Sequence, residues 1–327
     1  MQMDERYMAR CLALAEAGRY HVAPNPMVGA VIVYRDRIIG EGFHRRCGEA
    51  HAEVNAIEAV KNKRLLKDAT LYVSLEPCSH YGKTPPCTEL IIREGIRRVV
   101  VGSLDPFSEV SGRGIRMLQD AGAEVVAGVL EEEAVRLNRF FMTAHIRHRP
   151  YVILKWAQSA DGFIDRVRTG GFVPPVQFST PVTRRHLHKL RSEVSAIMVG
   201  TNTAVLDNPS LTVRHWVGNS PVRILLDRSL RVPPSHHLLD GTVQTCVFTE
   251  KTAGNRKNVE YIRMDFSKLL IQQILKFLFE RKINALLVEG GASLHESFLE
   301  SGLFDEIRIE TSPVLLNGGI KAPGIQS

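Results

Sequence analysis

Four residues in the first third of the chain have the types and the spacing that hydrolytic metal chemistry requires. His51 and Glu53 stand two positions apart at a predicted helix start. Cys78 follows a proline, and Cys87 comes nine residues later. Zinc favours one imidazole and two thiolates in tetrahedral geometry, and three protein ligands leave the fourth position to water. Structural zinc sites usually close with four protein ligands, so this pattern predicts a catalytic zinc ion.

The position of Glu53 predicts a role other than that of a ligand. It lies two residues after His51, which is about 200° around a helix, so the two side chains do not stack on one ion. A carboxylate beside the ion can instead take the proton of a water molecule and pass it to a leaving amine. This combination of histidine, glutamate and Pro-Cys is typical of zinc deaminases of nucleobases, although their usual cysteine spacing is shorter.

Each of these residues also has an ordinary structural interpretation when it is taken alone. His51 could cap a helix, Glu53 could be a solvated first-turn acid, and the cysteines could be small buried hydrophobic residues. The four residues together favour zinc. The structural interpretation is kept for the remaining cysteines, which are Cys11, Cys47 and Cys246.

A weaker signal, for phosphate binding, occurs in the second half of the chain. Glu289-Gly-Gly291 follows an apolar strand and precedes a helix, and such a glycine pair lets a phosphate approach the helix N-terminus. Gly200, with Thr203 behind it, opens another helix in a similar way. Neither segment is a G-x-G-x-x-G fingerprint. A Gly-Gly pair alone is more often a tight turn.

The elements that must position these residues alternate between strands and helices, which predicts an α/β fold. Strands are predicted at 27–34, 37–43, 70–75, 97–102, 123–128, 151–155, 195–200, 222–227, 244–249, 284–289 and 305–311. Helices are predicted at 4–18, from about 51, from 85, and at 112–121, 130–146, 267–281 and 292–302. The polar segment 145–150 ends in a proline before a new apolar strand, so the predicted domains are 1–147 and 148–327.

The composition limits the class of protein. The 327 residues carry a formal net charge of +7 without a dense Lys/Arg run, which favours a phosphorylated small-molecule substrate over nucleic acid. Five cysteines are too few, and odd in number, for a disulfide framework. No apolar run reaches the ~18 residues of a membrane span, and the N-terminus lacks the apolar core of a signal peptide. These features predict a cytoplasmic enzyme without a membrane partner and leave open whether it forms a homo-oligomer.

Three segments of the first half resemble the bifunctional deaminase–reductase family of riboflavin biosynthesis, RibD. They are Asn25-Pro-Met-Val-Gly29, His51-Ala-Glu-Val54 and the segment 75–87, which reads Leu-Glu-Pro-Cys-Ser-His-Tyr-Gly-Lys-Thr-Pro-Pro-Cys. The longer cysteine loop is that family's own variant. The resemblance implies a cytidine-deaminase-like three-layer α/β/α domain that holds zinc on His51, Cys78 and Cys87 and uses Glu53 as the proton shuttle.

The resemblance also implies a substrate and its contacts. The implied reaction is hydrolytic deamination of 2,5-diamino-6-ribosylamino-4(3H)-pyrimidinone 5′-phosphate at the ring carbon that bears the 2-amino group. The implied substrate contacts are Asn25, His80 and Lys83. Simple turn chemistry of Asn-Pro is an equally good interpretation of Asn25, and an exposed loop lysine is an equally good interpretation of Lys83.

The second half resembles the reductase domain of the same family in the segments 154–162, 197–200, 206–214, 223–227 and 287–291. The resemblance implies a dihydrofolate-reductase-like α/β domain that reduces the ribosyl side chain to ribityl with NADPH, by hydride delivery to C1′. The implied cofactor contacts are Ala157, Thr203, Asp207, Gly291, Ala292, Ser293, Leu294, His295, Glu296 and Ser297. The implied substrate contacts are Arg191, Leu211, Arg214 and Glu289.

Some positions depart from the pattern of that family or keep a second interpretation. The W-I-T segment of the family reads Gln177-Phe-Ser179, and its D-P-N-P segment reads Asp105-Pro-Phe-Ser108. The chain also ends earlier than the resemblance implies, so the alternative is a deaminase whose second half binds ligand without reducing it. Arg191 is equally consistent with a solvated helix face. Arg228, just after strand 222–227, is a candidate for binding the 2′-phosphate that distinguishes NADPH from NADH.

Overall fold

The computed structural model describes residues 2–81, 85–107, 111–168 and 173–324. The chain divides into two compact units, Met1–His148 and Arg149–Ser327. Among the helices of the described residues, none is both long and apolar enough to cross a membrane.

The first unit is built on a five-stranded mixed sheet. Its strands are β1 (Gly29–Tyr34), β2 (Arg37–Phe43), β3 (Thr70–Leu75), β4 (Arg98–Ser103) and β5 (Glu124–Ala127), in the spatial order β2-β1-β3-β4-β5. β1 is antiparallel to both of its neighbours, whereas β3, β4 and β5 are parallel to one another. Arg35 and Asp36 connect β1 to β2 with φ angles of 47° and 59°, which the tight hairpin turn requires at both central positions.

Helices cover both faces of this sheet. They are α1 (Gln2–Glu16), α2 (Ala52–Ala59), α3 (Cys87–Arg93), α4 (Arg113–Asp120), α5 (Glu131–Leu137) and α6 (Arg139–Arg147). Met8 and Cys11 of α1 pack against Val31 on one face. Ile57 of α2 and Leu118 of α4 belong to the core on the opposite face. The result is the three-layer α/β/α domain that the resemblance implies.

The second unit is built on a seven-stranded sheet. Its strands and helices are β6 (Tyr151–Gln158), β7 (Phe163–Asp165), α7 (Pro181–Glu193), β8 (Ala196–Gly200), α8 (Thr201–Asp207), β9 (Val222–Leu226), β10 (Thr245–Thr249), β11 (Val259–Arg263), α9 (Leu270–Glu280), β12 (Ala285–Gly290), α10 (Ala292–Ser301), β13 (Glu306–Thr311) and β14 (Ile320–Lys321). The sheet order is β11-β10-β9-β8-β12-β6-β13, with parallel pairing throughout. The pair β7–β14 is separate and antiparallel. Ile274 of α9 and Phe298 of α10 pack against Met198 and Phe248 in the core of one face. The predicted α/β class is confirmed.

The order in which the chain adds strands to this sheet reverses between β8 and β12, although all the strands are parallel. From β8 the chain continues through β9, β10 and β11 toward one edge, whereas β6 and β13 lie on the other side of β12. The crevice at the carboxyl ends of such strands is the usual ligand site of an open parallel sheet. Gly290 and Gly291 lie at this point. A Cβ on Gly290 would stand 2.8 Å from Thr203 Cγ2, and Gly291 has a φ of 83°, so both positions require glycine.

The predicted continuous helix over 130–146 is wrong, because α5 and α6 are separated at Asn138. Its backbone has φ −99° and ψ 20°, which interrupts the helix. Its side-chain amide accepts a hydrogen bond from Met27 N and donates one to Met27 O, each at 2.8 Å. The break therefore anchors the loop before β1 through a contact that helical periodicity does not reveal.

The sequence pattern also fails to predict α7, β7, β11 and β14. α7 carries many Arg and His residues and few apolar ones, so its periodicity is weak. It begins at a capping box in which Thr180 and Thr183 exchange hydrogen bonds. β7 and β14 have three and two residues, which is too short for a pattern of alternation, whereas β11 has five.

Candidate active sites

His51, Cys78 and Cys87 converge at one point of the first unit. His51 is the N-cap residue of α2, Cys78 lies in the loop after β3, and Cys87 is the first residue of α3. His51 Nδ1 lies 3.5 Å from Cys78 Sγ and 3.4 Å from Cys87 Sγ, and all three atoms lie within 4.8 Å of one another. Nitrogen and sulfur ligands at tetrahedral positions on zinc stand roughly 3.6 Å apart. The three donors therefore fit one zinc ion.

The loop between the two cysteines is tied back to the start of α3. The backbone N–H of Cys87 donates to Cys78 Sγ at 3.3 Å, and the Thr88 hydroxyl donates to Cys78 O at 3.2 Å. The interaction between the two thiols lowers the pKa of Cys78 and raises the pKa of Cys87. Cys78 is therefore the first of the two to ionise, and a bound cation would ionise Cys87 as well.

Glu53 lies directly beside this cluster, in the first turn of α2. Only 3% of the residue is exposed, and its carboxyl interacts with the Cys87 thiol. Burial, followed by the negative charge of Cys78, raises the pKa of Glu53 to about 7. A buried carboxyl in this position has the reach and the enclosure that a general acid–base group needs.

Glu76, two residues before Cys78, organises the walls around the cluster. Its Oε1 accepts from the backbone N–H groups of Gly114 at 2.9 Å and Ile115 at 3.3 Å. Its Oε2 accepts from Gly112 N at 2.9 Å and Asp105 N at 3.2 Å. The sequence pattern gives no sign of this role of Glu76, because its four partners lie 29 to 39 residues away.

Asn25 is joined to the cluster through His44. Asn25 Nδ2 lies 3.1 Å from His44 Nε2, and His44 Nδ1 lies 3.1 Å from Ala50 O. Burial lowers the pKa of His44, so its ring is neutral. Because a carbonyl oxygen only accepts, Nδ1 donates to Ala50 and Nε2 accepts from the Asn25 amide. The His44 ring meets the His51 ring edge-on, with 5.5 Å between centroids. Sequence analysis does not identify His44, which fixes the orientation of Asn25.

The other predicted substrate contacts of this unit lie in the loop between the cysteines. His80 is exposed there, and Lys83 falls outside the described residues. Asp105 and Phe107 are described, and Ser108 is not. The half-exposed Phe107 ring meets His145 of α6 edge-on, with 5.9 Å between centroids. The departure from the D-P-N-P pattern therefore leaves an aromatic ring on this loop.

The second unit has a cleft of about 690 Å³ at the carboxyl ends of β6, β8, β9 and β12. This volume lies in the range of small-molecule and cofactor sites. The predicted cofactor contacts that line it are Ala157, Thr203, Asp207, Gly291, Ala292, Ser293, Leu294, His295 and Ser297. Glu296 is not among the lining residues, and its side chain is exposed on α10.

A buried ion pair lies at the side of this cleft. Arg191 Nε and Nη2 donate to Glu289 Oε1 and Oε2 at 2.7 and 2.6 Å, and Arg191 Nη1 donates to Thr212 O at 3.2 Å. Glu289 lines the cleft, whereas Arg191 does not. Burial acts to raise the pKa of Glu289, but Arg191 more than offsets this, so the pKa is lowered. The interpretation of Arg191 as a residue on a solvated helix face is wrong, because only 8% of it is exposed.

The remaining predicted substrate contacts, Leu211 and Arg214, are not among the residues that line the cleft. Leu211 is buried and has a φ of 50°. Arg214 has an exposed side chain, and its backbone N–H donates to His188 Nδ1 at 2.9 Å. His188 on α7 thus ties the segment 211–214 to the helix that carries Arg191.

Several residues that sequence analysis did not select also line the cleft, including Lys155, Arg168, Phe178, Ser179 and Arg231. Phe178 is buried in the segment that departs from W-I-T, so the aromatic ring of that segment is shifted by one position. Arg168 forms an ion pair with Asp207, and its Nε lies 2.8 Å from Asp165 Oδ2. This pairing neutralises a carboxylate on the cleft wall.

Two arginines stand after β9 at the cleft. Arg228 is 62% exposed in its side chain, and its Nε lies 2.8 Å from Glu250 Oε2. Arg231 Nη1 donates to Asn202 Oδ1 at 3.3 Å. Both residues line the cleft, and their charges make this part of it attractive to phosphate.

Comparison with protein families gives two matches. Residues 150–326 match the model of the RibD C-terminal domain, and residues 1–103 match the cytidine and deoxycytidylate deaminase zinc-binding region. The riboflavin biosynthesis protein RibD of Aquifex aeolicus is 42% identical over 98% of this chain and 89% of its own length. The RibD protein of Escherichia coli is 37% identical over 99% of this chain and 92% of its own length.

Two solved structures are similar over nearly the whole chain. The first is a diaminohydroxyphosphoribosylaminopyrimidine deaminase/5-amino-6-(5-phosphoribosylamino)uracil reductase from Thermotoga maritima. It has a TM-score of 0.89 and 41% identity, covering 98% of this chain and 89% of that one. RibD of Acinetobacter baumannii has a TM-score of 0.88 and 34% identity, covering 98% and 90%.

The folds and the two sites define a zinc-dependent nucleobase deaminase joined in one chain to a nicotinamide-dependent reductase. The matches to both family models and to full-length relatives identify the family. The chain belongs to the RibD family of riboflavin biosynthesis proteins. It is therefore a bifunctional enzyme that uses zinc for deamination and NADPH for reduction. The alternative of a chain that only deaminates finds no support in these matches.

Proposed function

We propose that the first unit removes the 2-amino group of 2,5-diamino-6-ribosylamino-4(3H)-pyrimidinone 5′-phosphate and that the second unit reduces the ribosyl group of the product to ribityl. The activities named for the similar Thermotoga maritima structure support these two substrates. The observation that carries the proposal is the convergence of His51, Cys78 and Cys87 beside the buried carboxyl of Glu53.

The donor set of the first unit supports the assignment of the zinc ligands. His51 Nδ1, Cys78 Sγ and Cys87 Sγ would hold the ion, since their separations match tetrahedral zinc. When bound, zinc supplies a nucleophile at neutral pH by lowering the pKa of a water molecule. The fourth position stays open for that water because the chain offers only three ligands here among the described residues.

Glu53 is the proton shuttle of the proposed deamination. It takes one proton from the attacking water and delivers it to the 2-amino group, which leaves as ammonia. The water oxygen becomes the new ring carbonyl oxygen, and the second water proton moves to the adjacent ring nitrogen. The burial of Glu53 beside Cys87 supports this role, because bulk water does not compete for the proton.

Asn25, His80 and Lys83 are the proposed substrate contacts of the deaminase. The Asn25 amide presents a fixed hydrogen-bonding edge to the pyrimidine, since neutral His44 sets its orientation. The loop between the cysteines carries His80 and Lys83, whose side chains suit the ribose phosphate. We propose a phosphorylated pyrimidine rather than nucleic acid as the partner, and excess tRNA should then fail to inhibit ammonia release.

The cofactor is proposed to lie along the start of α10. Within the proposed contact segment 291–297, the first-turn backbone N–H groups at 292–294 suit the pyrophosphate, because Gly291 is the N-cap residue and the intrahelical bonds begin at His295. Ala157, Thr203 and Asp207 line the same cleft. Glu296 belongs to the same proposed contact segment, and its side chain is exposed on α10.

The reduction transfers a hydride from NADPH to C1′ of the ribosyl group, with uptake of one proton. The cofactor supplies the hydride, and the protein supplies orientation and charge. Glu289 faces the cleft and is held by Arg191, which supports a role for this pair in placing the sugar. Leu211 shapes the segment that ends at Arg214, whose exposed guanidinium suits the phosphate.

A coupled assay tests the proposal. The purified protein receives the diamino-pyrimidinone ribosyl phosphate with zinc and NADPH, and ammonia release and nicotinamide absorbance are followed together. Ammonia release followed by NADPH oxidation is the expected result. Ammonia without NADPH oxidation would contradict the reductase assignment, and neither signal from zinc-loaded protein would contradict the substrate.

A further inference from the structure

A carboxylate that does not line the reductase cleft holds two side chains that do. Glu310 Oε2 accepts a hydrogen bond from Ser179 Oγ at 2.8 Å and lies 3.4 Å from Lys155 Nζ. Lys155 and Ser179 line the cleft, whereas Glu310 is not among the lining residues. The Lys155 and Glu310 side chains are only 13% and 18% exposed. We call these three residues the Glu310 cluster.

The pairing of β6 with β13 puts Glu310 in this position. The two strands are parallel, with Arg308 opposite Lys155 and Glu310 opposite Ala157. Alternate residues of a strand face the same side of the sheet. Lys155, Ala157 and Glu310 therefore share one face, and Trp156 belongs to the core on the other face. The sheet register therefore places the Glu310 carboxylate on the face that carries Lys155.

Ser179 reaches Glu310 from a separate part of the chain, the segment that precedes α7. Gln177 and Phe178 of the same segment line the cleft. Thr183, in the first turn of α7, also acts to lower the pKa of Glu310. This one carboxylate thus fastens a cleft wall to the edge strand of the sheet.

The charge state of Glu310 fits this arrangement. Burial acts to raise its pKa, but Thr183 and the hydrogen bond from Ser179, together with the charge of Lys155, more than offset this and lower it. The carboxylate is therefore ionised at neutral pH and only accepts hydrogen bonds. Because Ser179 gives its proton to Glu310, its oxygen presents an acceptor to the cleft, while the Lys155 ammonium presents donors.

Lys155 would be poorly defined without this contact. A lysine side chain is a flexible four-carbon stem with a point charge at its end. Glu289 is a second carboxylate close enough to interact with Lys155. The Lys155 ammonium therefore interacts with two carboxylates, with Glu310 as its direct partner at 3.4 Å. Holding donors in place before binding reduces the entropy that binding costs.

We propose that Glu310 is a positioning residue of the reductase site, which fixes Lys155 as a donor and Ser179 as an acceptor for the pyrimidine ring of the substrate. A donor beside an acceptor fits a ring carbonyl next to a ring N–H, which the deaminated pyrimidine carries. Glu310 acts through these two side chains and does not itself touch substrate. The proposal rests on the proposed reduction of that pyrimidine.

Glu310→Gln tests the proposal, because glutamine keeps the size, removes the charge and can donate to Ser179. The KM for the deaminated pyrimidine should rise about tenfold, which is the effect of losing one well-placed hydrogen bond. The Kd for NADPH should stay unchanged. Glu306→Gln is the matched control, since Glu306 lies on the same strand and bonds Tyr151 and Arg308 away from the cleft lining.

The same substitution in a double variant separates a positioning role of Glu310 from a direct contact of Glu310 with the substrate. In Lys155→Met/Ser179→Ala, where neither side chain is left to position, Glu310→Gln should change the Kd of the deaminated pyrimidine less than about twofold. An unchanged KM in the single variant, or a tenfold effect in this background, would overturn the proposal. If Glu310→Gln does not fold, Ser179→Ala is measured in its place. An unchanged KM for the deaminated pyrimidine in that variant would also overturn the proposal. Absence of NADPH oxidation in the wild type would instead refute the proposed function.

Discussion

The guanidinium of Arg191 and the carboxylate of Glu289 meet through two hydrogen bonds of 2.7 and 2.6 Å, with both side chains at most 10% exposed. Removing one partner of a buried pair leaves an uncompensated charge and costs about 3–5 kcal/mol. We therefore expect Arg191→Met to lower the free energy of unfolding of the second unit by about this amount. NADPH oxidation should be lost while ammonia release persists, as chemical denaturation and the two assays can measure.

Arg185→Met is the control for this change, because Arg185 is an exposed residue of the same helix. The free energy of unfolding of the Arg185 variant, its ammonia release and its NADPH oxidation should all match those of the wild type. Equal stability of the Arg191 variant and this control would show that the ion pair does not stabilise the second unit.

A pH dependence of stability is expected from His188. Burial, followed by the positive charges of Arg191, His215 and Arg214, lowers the pKa of His188 to about 4, although Glu289 acts in the opposite direction. An unfolded histidine has a pKa of about 6.5. The unfolded chain therefore binds more protons between these values. The contribution of His188 to stability is complete above about pH 6.5 and is lost as the pH falls toward about 4.

His188→Gln isolates this effect, because glutamine can still accept from Arg214 N and does not titrate over the window. The melting temperature of the second unit should fall less steeply from pH 7 to pH 5 in this variant than in the wild type. His186→Gln, at an exposed position of the same helix, should keep the wild-type slope. Identical slopes in all three proteins would rule out His188 as the source.

Arg228 and Arg231 are expected to determine the preference for NADPH over NADH. Both line the cleft after β9, where a 2′-phosphate can accept charge-assisted hydrogen bonds. Replacing both with alanine should raise the Kd for NADPH about tenfold or more. The Kd for NADH should hardly change, because NADH carries no 2′-phosphate. A parallel rise for both cofactors in a fluorescence titration would show that the arginines shape the cleft and do not read the phosphate.

Cys87→Ser is expected to lose the metal. A hydroxyl is a poor zinc ligand beside a thiolate, and His51 and Cys78 alone leave the tetrahedral set incomplete. Metal analysis of the dialysed protein should give well under one zinc per chain. Cys47→Ser should keep one zinc, since Cys47 is exposed and lies outside the cluster. One zinc per chain in the Cys87 variant would remove Cys87 from the ligand set.

The sequence predicts the fold class and the deaminase cluster because their signals are local. His51 and Cys87 stand at helix starts and Cys78 lies in the loop after β3, and the strands that place them alternate with helices in sequence. The glycines at 290 and 291 likewise mark the strand–helix turn at the cleft. In each case, residue type and short spacing together limit what the backbone can do.

The features that the sequence did not predict depend on contacts between distant parts of the chain. Glu310 meets Lys155 and Ser179 across 155 and 131 residues. Asn138 breaks a predicted helix because it bonds Met27 over a separation of 111 residues. Neither periodicity nor spacing encodes such partners, since the sheet order that brings them together is itself a property of the whole domain.

Glu53→Gln gives the most direct test of two independent sites in one chain. The amide keeps the size of the side chain and leaves the ligands His51, Cys78 and Cys87 in place, but it does not carry a proton between water and amine. We predict one zinc per chain, loss of ammonia release by several orders of magnitude, and a wild-type rate of NADPH oxidation on supplied deaminated product. Ammonia release at the wild-type rate from this variant would contradict the account.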